Sequence, residues 1–227
     1  MPRAWLASFL LAIGRRAQAR HLVLLDAALG HIALGRWLAL CGAGRVRRVK
    51  TREDLFEVAL PSLEGRRPLY IELGVHRGDS IRWWAAHLKA PDASLVGFDS
   101  FTGLPERWNE QNPAGRFSTD GNVPAVDDPR VGFVRGWFEE TLATYDAPDH
   151  DAVLLNFDAD LYSSTLTALR GLRHLMTPGA WLYLDELNDK NHELRALEEF
   201  LNETKIDVSP IARAANGRHW LFRVDHP

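Results

Sequence analysis

Ala152-Val-Leu-Leu-Asn-Phe-Asp-Ala-Asp-Leu-Tyr-Ser-Ser-Thr165 decides how this chain is read. Its first six residues are a short, mostly apolar run, the signature of a buried strand that delivers Asp158 to its carboxyl end. Trp181-Leu-Tyr-Leu184 is a second such run, entered through Pro178-Gly179 and followed at once by Asp185 and Glu186. Leu166 to Met176 reads as the crossover helix of a strand-helix-strand unit. Parallel neighbours in a sheet lie about 4.8 Å apart, so adjacent tips bring Asp158, Asp185 and Glu186 close enough to share one ion. Open α/β sheets bind ligands outside those carboxyl ends.

Upstream, Pro68-Leu-Tyr-Ile-Glu-Leu-Gly74 reads as the first strand of the body, and Asp79-Ser80 opens a helix after it. The turn between them, Glu72-Leu-Gly-Val-His-Arg-Gly78, places free backbone N–H groups at a helix start, beside a ligand. Gly74 and Gly78 let that backbone come close where a Cβ would clash. The spacing is E-x-G-x-x-x-G and not the dinucleotide fingerprint. Leu95-Val-Gly-Phe-Asp99 completes a second strand ending in an acid, which suits a grip on ribose hydroxyls. Turn and acid together point to an adenosine-type ligand without a pyrophosphate. His76, inside the turn, reads either as a contact to that ligand's carboxylate or as a residue of the turn alone.

With 227 residues, 46% of them hydrophobic, the chain can bury one sizeable α/β core. Its net charge of −3 hides an asymmetry. Residues 1–52 carry ten Lys/Arg and one acid, Asp26, which leaves seventeen Lys/Arg against twenty-nine Asp/Glu in the remainder. That acidic body argues against general nucleic-acid binding. A single cysteine, Cys41, excludes an internal disulfide framework and a cysteine-built zinc site, and fits a cytoplasmic setting. Arg3 and the apolar run to Gly14 have the outline of a secretory signal, but Arg15 and Arg16 stand where such a signal has neutral residues. Residues 4–43 therefore read as two helices broken near Gly30, a cap that packs on the core or on a second subunit, with approach to membrane lipid or a lipid-linked substrate as the alternative. Arg45 to Lys50 reads as a basic linker, which divides the chain into a cap and linker at 1–50 and a main domain at 51–227. Pro105 to Pro129 is a long irregular segment of the kind that forms functional lids.

Five segments now fall in order: Glu72-x-Gly-x-x-x-Gly78, Gly97-Phe-Asp-Ser-Phe-Thr-Gly-Leu-Pro105, Gly136-Trp-Phe138 with Thr141-Leu142, Asp158-Ala-Asp-Leu-Tyr-x-Ser-Thr165, and Pro178-Gly179 with Asp185-Glu186. As a set they resemble the macrocin O-methyltransferase group of class I S-adenosylmethionine-dependent methyltransferases. The resemblance spans roughly residues 70–187. It implies a Rossmann-like α/β fold, a seven-stranded, mostly parallel sheet with helices on both faces. It also implies S-adenosylmethionine as methyl donor and Mg2+ as the ion that holds the acceptor's hydroxyls. Residue by residue it places Glu72, Gly74, Gly78 and Ser80 around the methionine part of the donor. Asp99 and Ser100 fall at the ribose, and Gly136, Trp137 and Phe138 at the adenine. Asp158, Asp185 and Glu186 fall on the metal positions, with Asp158 also the proposed general base. The sequence departs from the group at Glu186, where an aspartate is usual.

The chemistry agrees with that implication. A sugar hydroxyl is a very weak acid, and a cation on hard oxygen ligands stabilises its developing charge and fixes two adjacent oxygens. His192 is a second candidate base, or an exposed histidine at the start of the helix from Glu193 to Leu201. Asp160 reads as a cap of the helix that follows it, Tyr162 and at least one of Trp83 and Trp84 as packing residues, and Trp108 and Phe117 as loop aromatics able to stack on an acceptor. The acceptor expected is a small molecule with a sugar hydroxyl, in a homodimeric enzyme, with a catechol or phenol as the alternative. A glycosyltransferase is the competing class, since Asp158-Ala-Asp160 matches D-x-D, but it leaves the glycine turn and Asp185-Glu186 unexplained.

Overall fold

Strand residues that alternate between two apolar faces need a cover on both, and helices on either side of one sheet supply it here. The computed structural model describes the backbone of residues 2–226 and the side chains of 5–18 and 20–226; Arg3 of the signal-like outline falls outside the described side chains. Along the chain run α1 (Pro2–Gly14), α2 (Ala19–Leu40), β1 (Arg47–Val49), α3 (Glu53–Ala59), β2 (Pro68–Leu73), α4 (Asp79–His87), β3 (Ser94–Asp99) and β4 (Val131–Arg135). There follow α5 (Phe138–Thr141), β5 (Ala152–Phe157), α6 (Tyr162–Gly171), β6 (Trp181–Leu184), α7 (Glu193–Thr204), β7 (Asp207–Ala214) and β8 (Trp220–His226). The strands form one sheet in the order β1-β7-β8-β6-β5-β2-β3-β4. Only β8 runs antiparallel to its neighbours, β6 and β7.

The expected seven strands are thus eight. The extra one is β1, inside the stretch read as a basic linker, and it pairs in parallel with Ala212 to Ala214 of β7. Two of its three side chains, Arg47 and Arg48, are exposed, so it carried no apolar pattern by which to be seen. It also brings the sheet into the segment assigned to the cap.

On one face Leu69, Ile71 and Leu73 of β2 join Leu155 and Phe157 of β5 under α6 and α7, where Leu166, Leu169, Leu194, Leu197 and Phe200 face inward. On the other face Tyr70, Leu154 and Tyr183 meet Leu55 and Phe56 of α3 and Ile81 and Trp84 of α4. Trp84 is fully buried against Phe56 and Tyr70, as expected of a packing residue.

The N-terminal helices differ from expectation in one respect. The break falls at residues 15–18, and Gly30 lies inside α2. Gly30 is there because α2 crosses the body so closely that a Cβ would run into the carbonyl of Asn188. Leu34 and Trp37, one and two turns on, are buried, and Trp37 meets the Phe222 ring edge-on at 6.1 Å. Gly30→Ala separates two opposing effects. Helix propensity alone would add about 1 kcal/mol of stability, whereas a clash at a packed crossing costs about 1–3 kcal/mol. Urea unfolding should show a net loss, and a gain would mean that α2 does not seat on Asn188.

Candidate active site

The ladders of the central strands continue one step past their ends, and this lines up the site. The amide of Gly74 donates to the Phe98 carbonyl at 2.9 Å, that of Asp158 to Leu73 at 2.9 Å, and that of Asp185 to Phe157 at 3.1 Å. Gly74, Asp158 and Asp185 therefore stand side by side on adjacent strand tips, with Gly136 next along, its amide donating to Asp99 at 3.0 Å. They border a cavity of about 620 Å3. Strand order reverses around β2 and β5, so the cavity lies at the topological switch point of the sheet.

One end of the cavity is built from Gly74, His76, Asp99, Ser100, Gly136, Trp137 and Phe138. Gly74 has φ 92 and lies against the Asp158 backbone, whose carbonyl carbon would stand 2.8 Å from an added Cβ. Asp99 is held by its neighbours: it accepts the amides of Val75 and His76 at 2.8 Å each and that of Phe101 at 2.7 Å. The carboxylate thereby ties the turn after β2 to the end of β3. Trp137 leaves 38% of its surface exposed beside the cavity, as a free aromatic face.

The other end is acidic. Asp158, Asp160, Asp185 and Glu186 line it together with Arg218. Glu186 forms an ion pair with Arg218, and its amide donates to buried Glu193 at 2.8 Å. Asp185 accepts the Tyr183 hydroxyl at 2.6 Å and stands 3.0 Å from Nδ1 of His219. Burial pushes Asp185 up, but the His219 and Tyr183 hydrogen bonds and the His219 charge outweigh it and leave the group below the usual carboxylate range. Asp158 and Asp160 have no such partners: among the described residues neither side chain accepts a hydrogen bond or joins an ion pair. Burial first, then the charges of Asp185, Asp160 and Glu72, raise Asp158 well above its ordinary value. The same causes, burial and then Asp185, push Asp160 up to about 7.

Asp160 was expected to cap the following helix, and it does not. The cap position of α6 is Leu161, without a side-chain bond, and Asp160 has φ 58 at the centre of a tight turn closed by Leu161 donating to Ala159 at 2.6 Å. That left-handed conformation turns the carboxylate into the cavity instead of along the helix. Arg218 and His219 were also missed. They sit just before β8, and only the antiparallel register, Leu184 opposite Trp220, brings them to the tip of β6.

Four residues assigned to the site do not border the cavity. Gly78 and Ser80 lie at the start of α4, Gly78 with φ 80 as its cap and Ser80 buried behind it. Nδ1 of His192 accepts the Tyr162 amide at 3.1 Å, so that nitrogen holds the start of α6. Glu72 is buried one layer below the strand tips, where it accepts the Tyr70 hydroxyl at 2.9 Å; that hydroxyl accepts from Asn156 at 2.8 Å. Tyr162 packs as expected, its hydroxyl donating to Glu199 at 2.7 Å and its ring under Arg195. The long segment from Pro105 to Pro129 covers the cavity with Trp108 and Phe117, and Trp108 Nε1 donates to Asp189 at 2.9 Å.

The sequence signature of the macrocin O-methyltransferase family, TylF, matches residues 37–220. The chain belongs to that family. Among curated relatives, an 8-demethyl-8-(2,3-dimethoxy-alpha-L-rhamnosyl)-tetracenomycin-C 4'-O-methyltransferase of Streptomyces olivaceus is 32% identical over 136 residues, 51% of each chain. A mycinamicin III 3''-O-methyltransferase of Micromonospora griseorubida is 27% identical over 138 residues, 51% of this chain and 54% of its own. The chain spans about half the length of the curated relatives it matches. A crystal structure of CalS11, a calicheamicin methyltransferase, superposes with a TM-score of 0.57 at 25% identity over 76% of both chains. The O-methyltransferase NovP shares the fold, with a TM-score of 0.53 and 22% identity over 77% of this chain and 76% of its own. This TylF-family chain thus has the class I methyltransferase fold, and the matched region contains both ends of the cavity.

Glu72 gives a pH test of the layer beneath that cavity. Burial pushes its folded value up to about 8 from the usual 4.5. Between those values the folded chain holds a proton that the unfolded chain has released, so rising pH destabilises the fold through this group. Glu72→Gln keeps an acceptor for Tyr70 and removes the titration. It should match the parent near pH 4.5 and exceed it at pH 8 by roughly 4 kcal/mol in denaturant unfolding. Parallel pH profiles of the two proteins would count against a buried, protonated Glu72.

Proposed function

We propose that this chain transfers a methyl group from S-adenosylmethionine to a hydroxyl of a sugar or glycosylated metabolite, with Mg2+ beside the acceptor. The observation that carries the reading is the pair Asp158 and Asp160, unpartnered carboxylates facing one end of a cavity whose other end is a glycine turn tied to Asp99. The names of the relatives supply the acceptor class: one is a methyltransferase of a rhamnosyl compound.

In this reading the donor lies beside the turn after Gly74, Asp99 accepts the ribose hydroxyls, and Trp137 and Phe138 flank the base. Among the described residues no three His, Cys, Asp or Glu side chains already stand grouped around an ion position. The chemistry of the donor set fits a hard divalent cation all the same, because buried like charges that raise one another are what such an ion relieves. Asp158 and Asp185 are its holders here. Glu186 is engaged by Arg218, which accounts for a glutamate at the departing position: its extra methylene reaches a cation just before β8. When bound, Mg2+ supplies charge stabilisation at the acceptor oxygen.

Asp160 takes the proton. Its side chain lines the cavity beside Asp158 and accepts no hydrogen bond among the described residues, which leaves it free for general base work. The acceptor oxygen forms its bond to the methyl carbon as the carbon–sulfur bond breaks, the electron pair stays on sulfur, and the hydroxyl proton passes to Asp160. Asp158 then holds the ion in place of the base role expected of it, and His192 positions α6.

Asp160→Asn should lower kcat by about 10²–10⁴ while donor affinity is unchanged. Asp99→Ala should instead weaken donor binding by about ten- to a hundredfold in calorimetry. A normal kcat in the first variant removes Asp160 as base, and an unchanged donor Kd in the second removes the ribose assignment. Chelator-stripped protein should lose turnover and regain it with Mg2+; equal rates with and without metal end the metal part of the proposal.

A further inference from the structure

Of the fifteen exposed large hydrophobic side chains among the described residues, thirteen lie between Trp5 and Leu40; the others are Val123 and Trp137. They surround α1 and the first half of α2, with Trp5, Phe9, Leu10, Leu24, Leu25 and Ile32 each more than half exposed. The stretch Arg20–Leu40 is long and apolar enough to cross a bilayer, yet Leu34 and Trp37 are packed into the body. A helix seated in this way lies along a membrane surface more readily than through it. The same segment is net basic: residues 1–40 hold Arg3, Arg15, Arg16, Arg20 and Arg36 against Asp26 alone, and Asp26 is paired with Lys190.

We propose that α1 and α2 dock on the interface of an anionic lipid bilayer. Charge decides between this occupant and a second copy of the chain. A twofold contact sets the patch against itself, and here that means four net positive charges against four, from five arginines and one acid. A head-to-tail contact would meet the acidic body, which offers only Val123 and Trp137 as exposed large apolar side chains. An anionic bilayer supplies negative headgroups and an apolar layer together. Val23 and Ala27 of α2 also border the cavity, so docking brings the cavity mouth beside the lipid.

The test is cosedimentation of the full chain with vesicles of phosphatidylcholine alone and of phosphatidylcholine mixed equally with phosphatidylglycerol. Binding should be about tenfold or more tighter to the mixed vesicles. Arg15→Glu with Arg16→Glu should remove most of that preference, and Leu24→Asp with Leu25→Asp should abolish binding while circular dichroism and the melting temperature stay those of the parent. Failure to bind mixed vesicles overturns the proposal, as does unchanged binding by the Leu24→Asp/Leu25→Asp variant. A vesicle-free dimer that this variant converts to monomer in sedimentation equilibrium also overturns it, because the face would then be a contact between copies. None of these readouts depends on methyl transfer.

Discussion

Like charges must be brought together when parallel strands end in acids, and the register of this sheet leaves no alternative. Leu73, Phe157 and Leu184 pair across β2, β5 and β6, so Gly74, Asp158 and Asp185 follow on adjacent tips. Two charges about 4 Å apart repel by about 4 kcal/mol at a surface-like effective dielectric. The protein answers differently at each acid. Asp185 is given His219 and Tyr183, Glu186 is given Arg218, and Asp158 and Asp160 retain protons to higher pH. The cluster is thus half neutralised by the fold and half left for a ligand to complete.

That division shows in the layer below. Glu72, Asn156 and Tyr183 face one another in register across three strands, with the Tyr70 hydroxyl linking the first two. A polar row inside an apolar core costs stability unless each member is paired. Here the row lies directly beneath the strand tips and reaches the site through Tyr183, whose hydroxyl donates to Asp185, while Oδ1 of Asn156 has no partner among the described residues.

Much of this could be read from the chain. The runs Ala152–Phe157 and Trp181–Leu184 are strands with the expected bounds, because buried parallel strands announce themselves by unbroken apolar sequence. The acids at their ends follow from that. What could not be read lacked such a signal. β1 is polar on two of three positions, so nothing distinguished it from a linker. Asp160 was taken for a cap, because a left-handed backbone at a non-glycine residue follows from tertiary context and not from local preference. Arg218 and His219 reach the site only through a strand running against the rest of the sheet, a direction no periodicity reveals. Gly30 looked like a helix break because a glycine that breaks a helix and one that admits a neighbouring backbone are the same letter.

β1 has a consequence for how the molecule comes to be made. Its partner strand, β7, lies more than 150 residues further along the chain, and β8, which flanks β6, follows that. On a ribosome the central strands can assemble while the far edge of the sheet waits, with Arg47 to Val49 unpaired until Ala212 to Ala214 emerge. The partners of Asp185 and Glu186, His219 and Arg218, arrive in that same late hairpin. A nascent chain therefore carries Asp185 and Glu186 uncompensated until that hairpin follows them, and closing the edge and quieting the cluster are one event.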